Sequence, residues 1–319
     1  MMTVTARLSS GVLMTAATDA ISRRSPAGVL ALVAASVMWG TTGTAASFFP
    51  DNVSPLAIGA STMAIGGILL FVVSARGSIS AIRDPAARKW LLIGAIGVVV
   101  YPLAFYSSMD LAGVAVGNVV SLGSGPVFAA LFEWIGERRR LSMRWLIATV
   151  IAIAGVALLS LSSHADDGTS VLPGVLLGLL AGCAYALYTY CSTRAIGGHH
   201  SSRAVMGGMF GLGAIVLLPI LLVTGAPLLQ SSGTVGIAAY LAVGPMFIAY
   251  LLFGFGLRHI RSSAATTITL LEPLVATILA VLIVGERLEV AGWLGLGLIL
   301  VGVTVLVTGR QTSKLSEEP

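Results

Sequence analysis

Apolar residues dominate this chain in ten long runs, each bounded by a short polar segment. A helix needs about 20 apolar residues to cross the hydrocarbon core of a bilayer, and all ten runs reach that length. We call them spans one to ten, and they cover residues 27–49, 54–75, 90–109, 113–132, 143–162, 172–193, 204–224, 233–255, 262–284 and 290–308. The runs lack the alternation of barrel strands, and an open sheet cannot satisfy its backbone in lipid. The pattern therefore predicts an all-α polytopic membrane protein with ten transmembrane helices.

Composition narrows the class further. Of the 319 residues, 56% are hydrophobic and only 10% are charged, whereas soluble domains carry about 25% charged residues. A soluble enzyme or a disordered regulator is excluded, because so few charges could not cover its surface. Outside the spans we expect only short loops and two cytoplasmic tails, residues 1–26 and 310–319. Cys183 and Cys191 fall in one apolar run, so neither a disulfide framework nor a metal site is predicted.

The distribution of basic residues predicts the orientation. Of the 18 Lys and Arg residues, 17 fall in the two tails or in segments on the N-terminal side of the membrane, and Arg287 is the exception. Because cytoplasmic loops carry the excess of Lys and Arg, both termini are predicted to be cytoplasmic, in a multi-pass protein of the cell (inner or plasma) membrane. No loop combines basic charge with interleaved aromatic residues, so no nucleic-acid partner is expected.

The sequence repeats itself at an offset of about 146 residues. Four segments recur in the same order: Gly28-Val29-Leu30 as Gly174-Val175-Leu176, Pro126 as Pro273, Gly136-Glu137-Arg138 as Gly285-Glu286-Arg287, and the apolar Ile151–Val156 as Leu298–Val303. We therefore predict two repeats, 27–162 and 172–309, of five spans each. Because five is odd, the second repeat must begin on the opposite side of the membrane. Inverted repeats of this kind are typical of secondary transporters, whose substrate site lies near the midplane between the halves.

These motifs resemble those of a known family. The Trp39-Gly40 pair in span one, the prolines within spans four and nine, and the Gly-Glu-Arg segment after each are similar to the drug/metabolite transporter superfamily, and within it to the EamA-type ten-helix transporters. The resemblance implies a ten-helix carrier, commonly an exporter of amino acids, other small metabolites or drugs. Pro126 and Pro273 are candidate hinges. Span six departs from the pattern, since Ala184-Tyr185-Ala186 stands in the slot of Met38-Trp39-Gly40.

Glu272 is the first candidate for the transport site. It lies near the middle of span nine, where a charged side chain is costly and marks a pathway or a wet cavity. Three roles compete: Glu272 could bind a substrate ammonium group, carry a coupling proton, or stay neutral and hydrogen-bond backbone groups freed by Pro273.

Aromatic and hydroxyl side chains occupy equivalent parts of spans one and six. They are Trp39, Thr42, Tyr185 and Tyr188, and Tyr101 and Tyr250 are similar candidates in spans three and eight. Aromatic rings with one polar group suit a mostly apolar pocket for a small amphipathic ligand. Aromatic residues are also typical of the membrane interface, which leaves a structural role open.

Small residues recur every four positions in span four, at Gly113, Gly117, Ser121 and Gly125, with Asn118 beside them. This spacing is typical of close helix packing. The alternative is that this face lines the cavity, with Asn118 and Ser121 as candidate contacts for the substrate.

Glu137 and Glu286 occupy matching positions after spans four and nine. Each could bond the backbone or the following Arg at a helix end. Their symmetric placement also makes them candidate gates, formed on one side of the membrane at a time.

The sequence thus predicts a secondary transporter that works by alternating access around a midplane cavity. Export, and amino acids or related compounds as substrates, are implied by the resemblance. A passive facilitator or uniporter and a multidrug exporter of the same fold are the alternatives. A membrane-embedded enzyme is a weaker one, because the sequence lacks the clustered His, Asp or Cys that it would need.

No catalytic residue, bound metal or cofactor is predicted. The four His residues fall in loops or at span ends, and no phosphate-binding loop is present to support direct drive by ATP. The expected partners are a small-molecule substrate and the lipid bilayer, with protons and a second copy of the chain as further candidates.

Overall fold

Helices make up the regular structure of the computed structural model wherever it describes the chain. The described residues are 26–138, 171–196, 200–259, 268–269 and 271–307, together with 143, 146–147, 150–151, 154–155 and 158. Residues 1–25 of the predicted N-terminal tail and the predicted C-terminal tail lie outside the described residues.

The helices lie on the predicted spans, and each keeps the number of its span. Their bounds are Pro26–Gly40 and Thr42–Ala46 for span one, Pro55–Val73 for two, Pro85–Ala112 for three, Val114–Glu137 for four, Leu172–Ile196 for six, Ser202–Thr224 for seven, Ser232–Leu241, Ala242–Ile248 and Ala249–His259 for eight, Leu271–Leu279 and Ala280–Val284 for nine, and Val290–Val307 for ten. The described residues of span five, between 143 and 158, are also helical.

Seven of these helices are long and apolar enough to cross a membrane. They are spans one to four and six to eight, while the described helices of spans nine and ten are shorter. The prediction of a polytopic, all-helical membrane protein is therefore confirmed. The count of ten spans and the side of the termini stay predictions.

Capping residues explain where several helices begin. The Ser54 side chain accepts a hydrogen bond from the Ala57 N–H at 3.2 Å ahead of span two. The Asp84 carboxylate accepts one from the Ala86 N–H at 2.9 Å ahead of span three. In each case a proline follows the cap as the first helical residue, where its missing N–H costs nothing.

The segment between spans two and three differs from the sequence prediction. It forms the helix Ala75–Arg83, with Ser78 and Ala81 buried. The helix of span three begins at Pro85 rather than at Trp90. A search for apolar runs finds only the part of a helix that lies in hydrocarbon, so it misses a short amphipathic helix and the polar first turn of a longer one.

Two stretches of π-helix interrupt the regular pattern. Residues Ala242–Ile248 in span eight contain Pro245, and Ala280–Val284 ends span nine. Because proline donates no N–H, the helix around Pro245 cannot keep an unbroken ladder of regular bonds. Carbonyl groups in such a segment become available to side chains from neighbouring helices.

The two halves of the chain are interleaved rather than placed side by side. Span three packs along span six, span two along span seven, and span one along spans eight and nine. Span four packs along span six, which corresponds to span nine along span one when the halves are exchanged. Most helices of the first half therefore have their main neighbours in the second half.

Glycines allow the closest of these approaches between the halves. A Cβ atom on Gly97 of span three would lie 2.6 Å from the Ala184 carbonyl oxygen of span six, and one on Gly182 would lie 2.6 Å from the Ser121 carbonyl oxygen of span four. Small residues in spans three and six thus bring backbones from different halves into contact.

Candidate functional site

Trp39 points from span one into span eight. Its indole Nε1 donates a hydrogen bond to the Pro245 carbonyl oxygen at 2.8 Å. A backbone carbonyl of the π-helical segment in span eight thus has a hydrogen-bond donor from span one. The indole ring meets the rings of Tyr250 and Phe253 at centroid distances of 5.3 and 5.4 Å. Trp39 is therefore held in one orientation by a polar contact and two aromatic contacts.

The tyrosines of span six extend this packing towards the first half. The rings of Tyr185 and Tyr188 lie 5.2 Å apart, and Tyr101 of span three lies 5.9 and 6.0 Å from them. The hydroxyls of Tyr188 and Tyr250 are 3.1 Å apart. Phe210 of span seven packs against the same two rings, at 5.5 and 5.3 Å.

These rings form one group, which we call the aromatic cluster. It consists of Trp39, Tyr101, Tyr185, Tyr188, Phe210, Tyr250 and Phe253. Spans one and three contribute from the first half and spans six, seven and eight from the second, so the cluster joins the halves.

Glu272 lies beside the aromatic cluster. The carboxyl group is partly buried, and it is within electrostatic range of Tyr101, Tyr185 and Tyr250. Within the described part of the chain, no group donates a hydrogen bond to it. A carboxylate at this depth in a membrane is costly without a partner, so the arrangement suits a cationic group, a proton or water.

The Trp39-Gly40 and Glu272-Pro273 motifs meet at this point. A Cβ atom on Gly40 would lie 3.0 Å from the Glu272 carbonyl oxygen and 2.7 Å from Val275. The related approach in the other half places Gly125 of span four against Tyr185, with 2.9 Å from an added Cβ to the ring. The Trp39-Gly40 and Glu272-Pro273 motifs, which are far apart in the sequence, thus lie side by side in the structure.

Span four carries polar groups without partners. Asn118 and Ser121 are both fully buried, at 0% exposure. Neither end of the Asn118 amide nor the Ser121 hydroxyl has a hydrogen-bond partner among the described residues. An unpaired buried polar group costs about 1–3 kcal/mol, so this face has room for a hydrogen-bond partner that the described residues do not supply.

Two other polar residues of span one have different surroundings. Thr42 is buried. The buried hydroxyl of Thr44 also lacks a partner among the described residues, but Thr44 lines an open, mostly apolar groove of about 460 Å³ between spans one, eight and nine. The groove is separate from the aromatic cluster.

Glu286 reaches from the end of span nine to the start of span four. Its carboxylate accepts hydrogen bonds from the Ala115 N–H, at 2.9 Å, and from the Val114 N–H. Gly285 and Gly113 precede the two partners with φ of 83° and 87°, a conformation that favours glycine. The first N–H groups of a helix have no partner within the helix, so the carboxylate satisfies two of them.

The surroundings of Glu286 act on its charge in two directions. Burial raises the pKa of the Glu286 carboxyl above its ordinary value, and the hydrogen bonds from Ala115 and Val114 lower it in part.

Three other candidates complete the comparison of the halves. Glu137, which matches Glu286 in the first half, ends span four, but its side chain lies outside the described residues, and so does the side chain of Pro126. Pro273 is buried, and its carbonyl oxygen accepts a hydrogen bond from the Thr277 hydroxyl at 2.9 Å.

The structure therefore brings five of the predicted site residues into one neighbourhood. These are Glu272, Trp39, Tyr101, Tyr185 and Tyr188, with Tyr250 from the weaker candidates as a sixth, whereas Glu286 lies apart at a helix end. The sequence prediction missed Phe210 and Phe253. Phe253 follows Tyr250 by three residues and so shares its helical face, which is a usable signal, but Phe210 has none in the sequence. Among the described residues, no group of three or more His, Cys, Asp or Glu is placed to hold a metal ion.

Comparison with known proteins extends these observations. The EamA-like transporter family matches the chain twice, over residues 26–161 and 172–308. Uncharacterized transporter YwfM of Bacillus subtilis (strain 168) is 32% identical over 292 residues, which cover 90% of this chain and 96% of the relative. The threonine/homoserine exporter RhtA of Escherichia coli (strain K12) is 26% identical over 294 residues, which cover 91% and 94%.

A solved crystal structure shares the fold, with a TM-score of 0.60 at 20% identity over 87% of this chain and 95% of that chain. The family resemblance seen in the sequence motifs is thus confirmed, and the apolar helices place the chain among multi-pass inner-membrane proteins. With the family matched over both halves, the chain belongs to the EamA-like transporter family.

Proposed function

We propose that the chain is a secondary transporter in which Glu272 binds the ammonium group of a small amino-acid-like substrate beside the aromatic cluster. The placement of Glu272 carries this proposal: within the described part of the chain its carboxyl has no donor, and it lies near three tyrosines. A cation would neutralise the carboxylate, and the faces of aromatic rings attract cations. The name of RhtA, a threonine/homoserine exporter, supports amino acids and export.

Alternating access between two inverted repeats is the proposed mechanism. The two family matches support repeats at 27–162 and 172–309, and the symmetric helix contacts agree with that division. The ten apolar runs support ten spans, and the distribution of Lys and Arg supports placing both termini in the cytoplasm. Pro126 and Pro273 act as hinges, because each interrupts the backbone hydrogen bonds of its helix near the midplane.

Glu286 acts as the outer gate in this proposal. The two hydrogen bonds to the start of span four hold the outer ends of the halves together. By the symmetry of the repeat, Glu137 closes the cytoplasmic side against span nine when the outer side opens. Only one of the two gates is closed at a time.

Counterflow in proteoliposomes tests the proposal. The purified protein is loaded with unlabelled amino acid, and uptake of labelled threonine, homoserine and a panel of other amino acids is followed with and without a pH gradient. We expect Glu272→Gln to raise the KM for the transported amino acid by about 10- to 100-fold, since a hydrogen bond to a charged group is worth about 1.5–3 kcal/mol. Glu133→Gln, at an exposed position of span four, is the matched control and keeps wild-type transport.

Full transport by Glu272→Gln would remove Glu272 from the mechanism. Accumulation that follows the pH gradient supports coupling to protons. Equilibration without accumulation supports the passive facilitator instead. Failure to move any amino acid overturns the choice of substrate class.

A further inference from the structure

Asn118 and Ser121 lie on a buried face of span four that contacts spans one and six. At 100° per residue, Val114, Asn118, Ser121 and Gly125 share one face of the helix. The outer end of this face meets span one, where Val114 packs against Gly43, and its inner end meets the aromatic cluster, where Gly125 packs against Tyr185. The two polar residues therefore stand between the outer gate and the aromatic cluster.

Other buried polar groups nearby are already satisfied. The Ser108 hydroxyl donates to the Gly174 carbonyl oxygen at 2.7 Å, and the Ser124 hydroxyl donates to the Ser121 carbonyl oxygen at 3.3 Å. The Asn118 amide and the Ser121 hydroxyl remain the unpaired groups of this face in the described structure. Buried polar groups are normally hydrogen-bonded, so these two point to a ligand with matching polar atoms.

The charge distribution indicates the chemistry of that ligand. Among the described residues, no Lys or Arg lies in the interior of a membrane-crossing helix. An anionic group in the bundle would therefore have to rely on neutral donors, and a primary amide with a hydroxyl one turn away supplies three N–H and O–H groups. Ser121 stands about 6 Å along the helix from Gly125 and the aromatic cluster, a separation that a small zwitterion can bridge.

We infer that Asn118 and Ser121 form a subsite for the carboxylate of a zwitterionic amino acid whose ammonium group is bound at Glu272. The inference rests on the proposed function, which it deepens by assigning the second end of the substrate. A carrier of simple amines would have no use for this face, whereas a carrier of amino acids needs donors for the carboxylate. The site therefore selects amino acids over the corresponding esters.

Binding measurements on the full chain in lipid nanodiscs test the inference. Isothermal titration calorimetry is run with L-threonine, L-homoserine and the other standard amino acids, and each amino acid that binds is compared with its methyl ester, which keeps the ammonium group and loses the carboxylate charge. We expect the wild-type protein to prefer the free acid by about tenfold or more. Ser121→Ala and Asn118→Ala should each reduce that preference about tenfold, with a smaller effect on the affinity for the ester.

Two variants keep the test interpretable. Ser36→Ala removes another buried serine hydroxyl, one that is bonded within its own helix to the Leu32 carbonyl oxygen, and it should leave both affinities unchanged. Glu272→Gln should weaken the acid and the ester alike. Equal binding of acid and ester by the wild-type protein, or equal effects of the Asn118 and Ser121 variants on both ligands, overturns the subsite.

Those outcomes leave the proposed function intact as long as Glu272→Gln still weakens binding. If neither an amino acid nor an ester binds to the wild-type protein, the proposed function and the subsite fail together.

Discussion

Glu272 and Glu286 are two carboxylates in or directly after one helix, and their surroundings are opposite. Glu286 accepts hydrogen bonds from two backbone N–H groups, so its partners belong to the protein. Glu272 has no such donor among the described residues and lies near aromatic rings. Hydrogen-bond donors from the protein suit Glu286 to holding two helices together. The lack of such a donor suits Glu272 to binding and releasing a ligand.

Gly40 allows span one to approach Glu272. We expect Gly40→Ala to lower the free energy of unfolding by about 1–3 kcal/mol, because its Cβ would lie 2.7 Å from Val275. Thermal unfolding in detergent measures the loss. Gly254→Ala is the matched control, since an added Cβ there meets nothing within 4 Å and alanine favours the helix. Equal melting temperatures for the two variants would contradict the close approach of spans one and nine.

Among the elements, the start of span four and the end of span nine form one contact that links the two halves. We expect Glu286→Ala to open the outer side, because hydrogen bonds to a charged group are worth about 1.5–3 kcal/mol. A cysteine at Ala115, in a chain with Cys183 and Cys191 replaced by serine, should react about tenfold faster with a membrane-impermeant thiol reagent.

Asp51→Ala serves as the control for that measurement. Asp51 is an exposed carboxylate that follows the helix of span one, on the side of the membrane where Glu286 is proposed to lie. This substitution should leave the labelling rate unchanged. An unchanged rate in Glu286→Ala as well would show that the contact does not hold the outer side closed.

The same contact should respond to pH. Burial raises the pKa of Glu286 while the contact is closed, and solvent returns it towards its ordinary value of about 4.3 when the contact opens. The closed form then binds the proton more tightly, so acid favours closure, and this advantage is lost as the pH rises through the raised pKa. Acidic outer pH should slow the labelling of Ala115→Cys more strongly when Glu286 is present than when it is replaced by Gln. The Glu286→Gln protein corrects for titration of the thiol itself. An identical pH profile in both proteins would rule out Glu286 as the titrating group.

Sequence patterns predicted the membrane helices well, because apolar runs long enough to cross a bilayer are rare in soluble proteins. They missed the helix Ala75–Arg83, which is short and polar on one face. They also missed the π-helical segments at Ala242–Ile248 and Ala280–Val284, because the register of backbone bonds depends on packing. Glu272 and Trp39 could be singled out from one chain, whereas Phe210 joined the site only through tertiary structure.

At the scale of the whole molecule, the helix contacts of one half match those of the other, and this symmetry bears on the two proposed gates. Span three on six matches span eight on one, and span four on six matches span nine on one. We therefore expect Glu137→Ala to shift the protein in the opposite direction from Glu286→Ala. Labelling of Ala115→Cys should slow in the first variant and quicken in the second. A change of the same sign in both would be incompatible with two gates that exchange roles.

The interleaving of the halves also constrains how the chain is made. Spans one to three find their main neighbours in spans six to nine, so the first half emerges from the ribosome before most of its packing surface has a counterpart. During that interval the faces that will pack against the second half are still without their helical neighbours. Synthesis that stops after the fifth span should leave a product that inserts but is rapidly degraded, and supplying the second half as a separate polypeptide in the same membrane should rescue it.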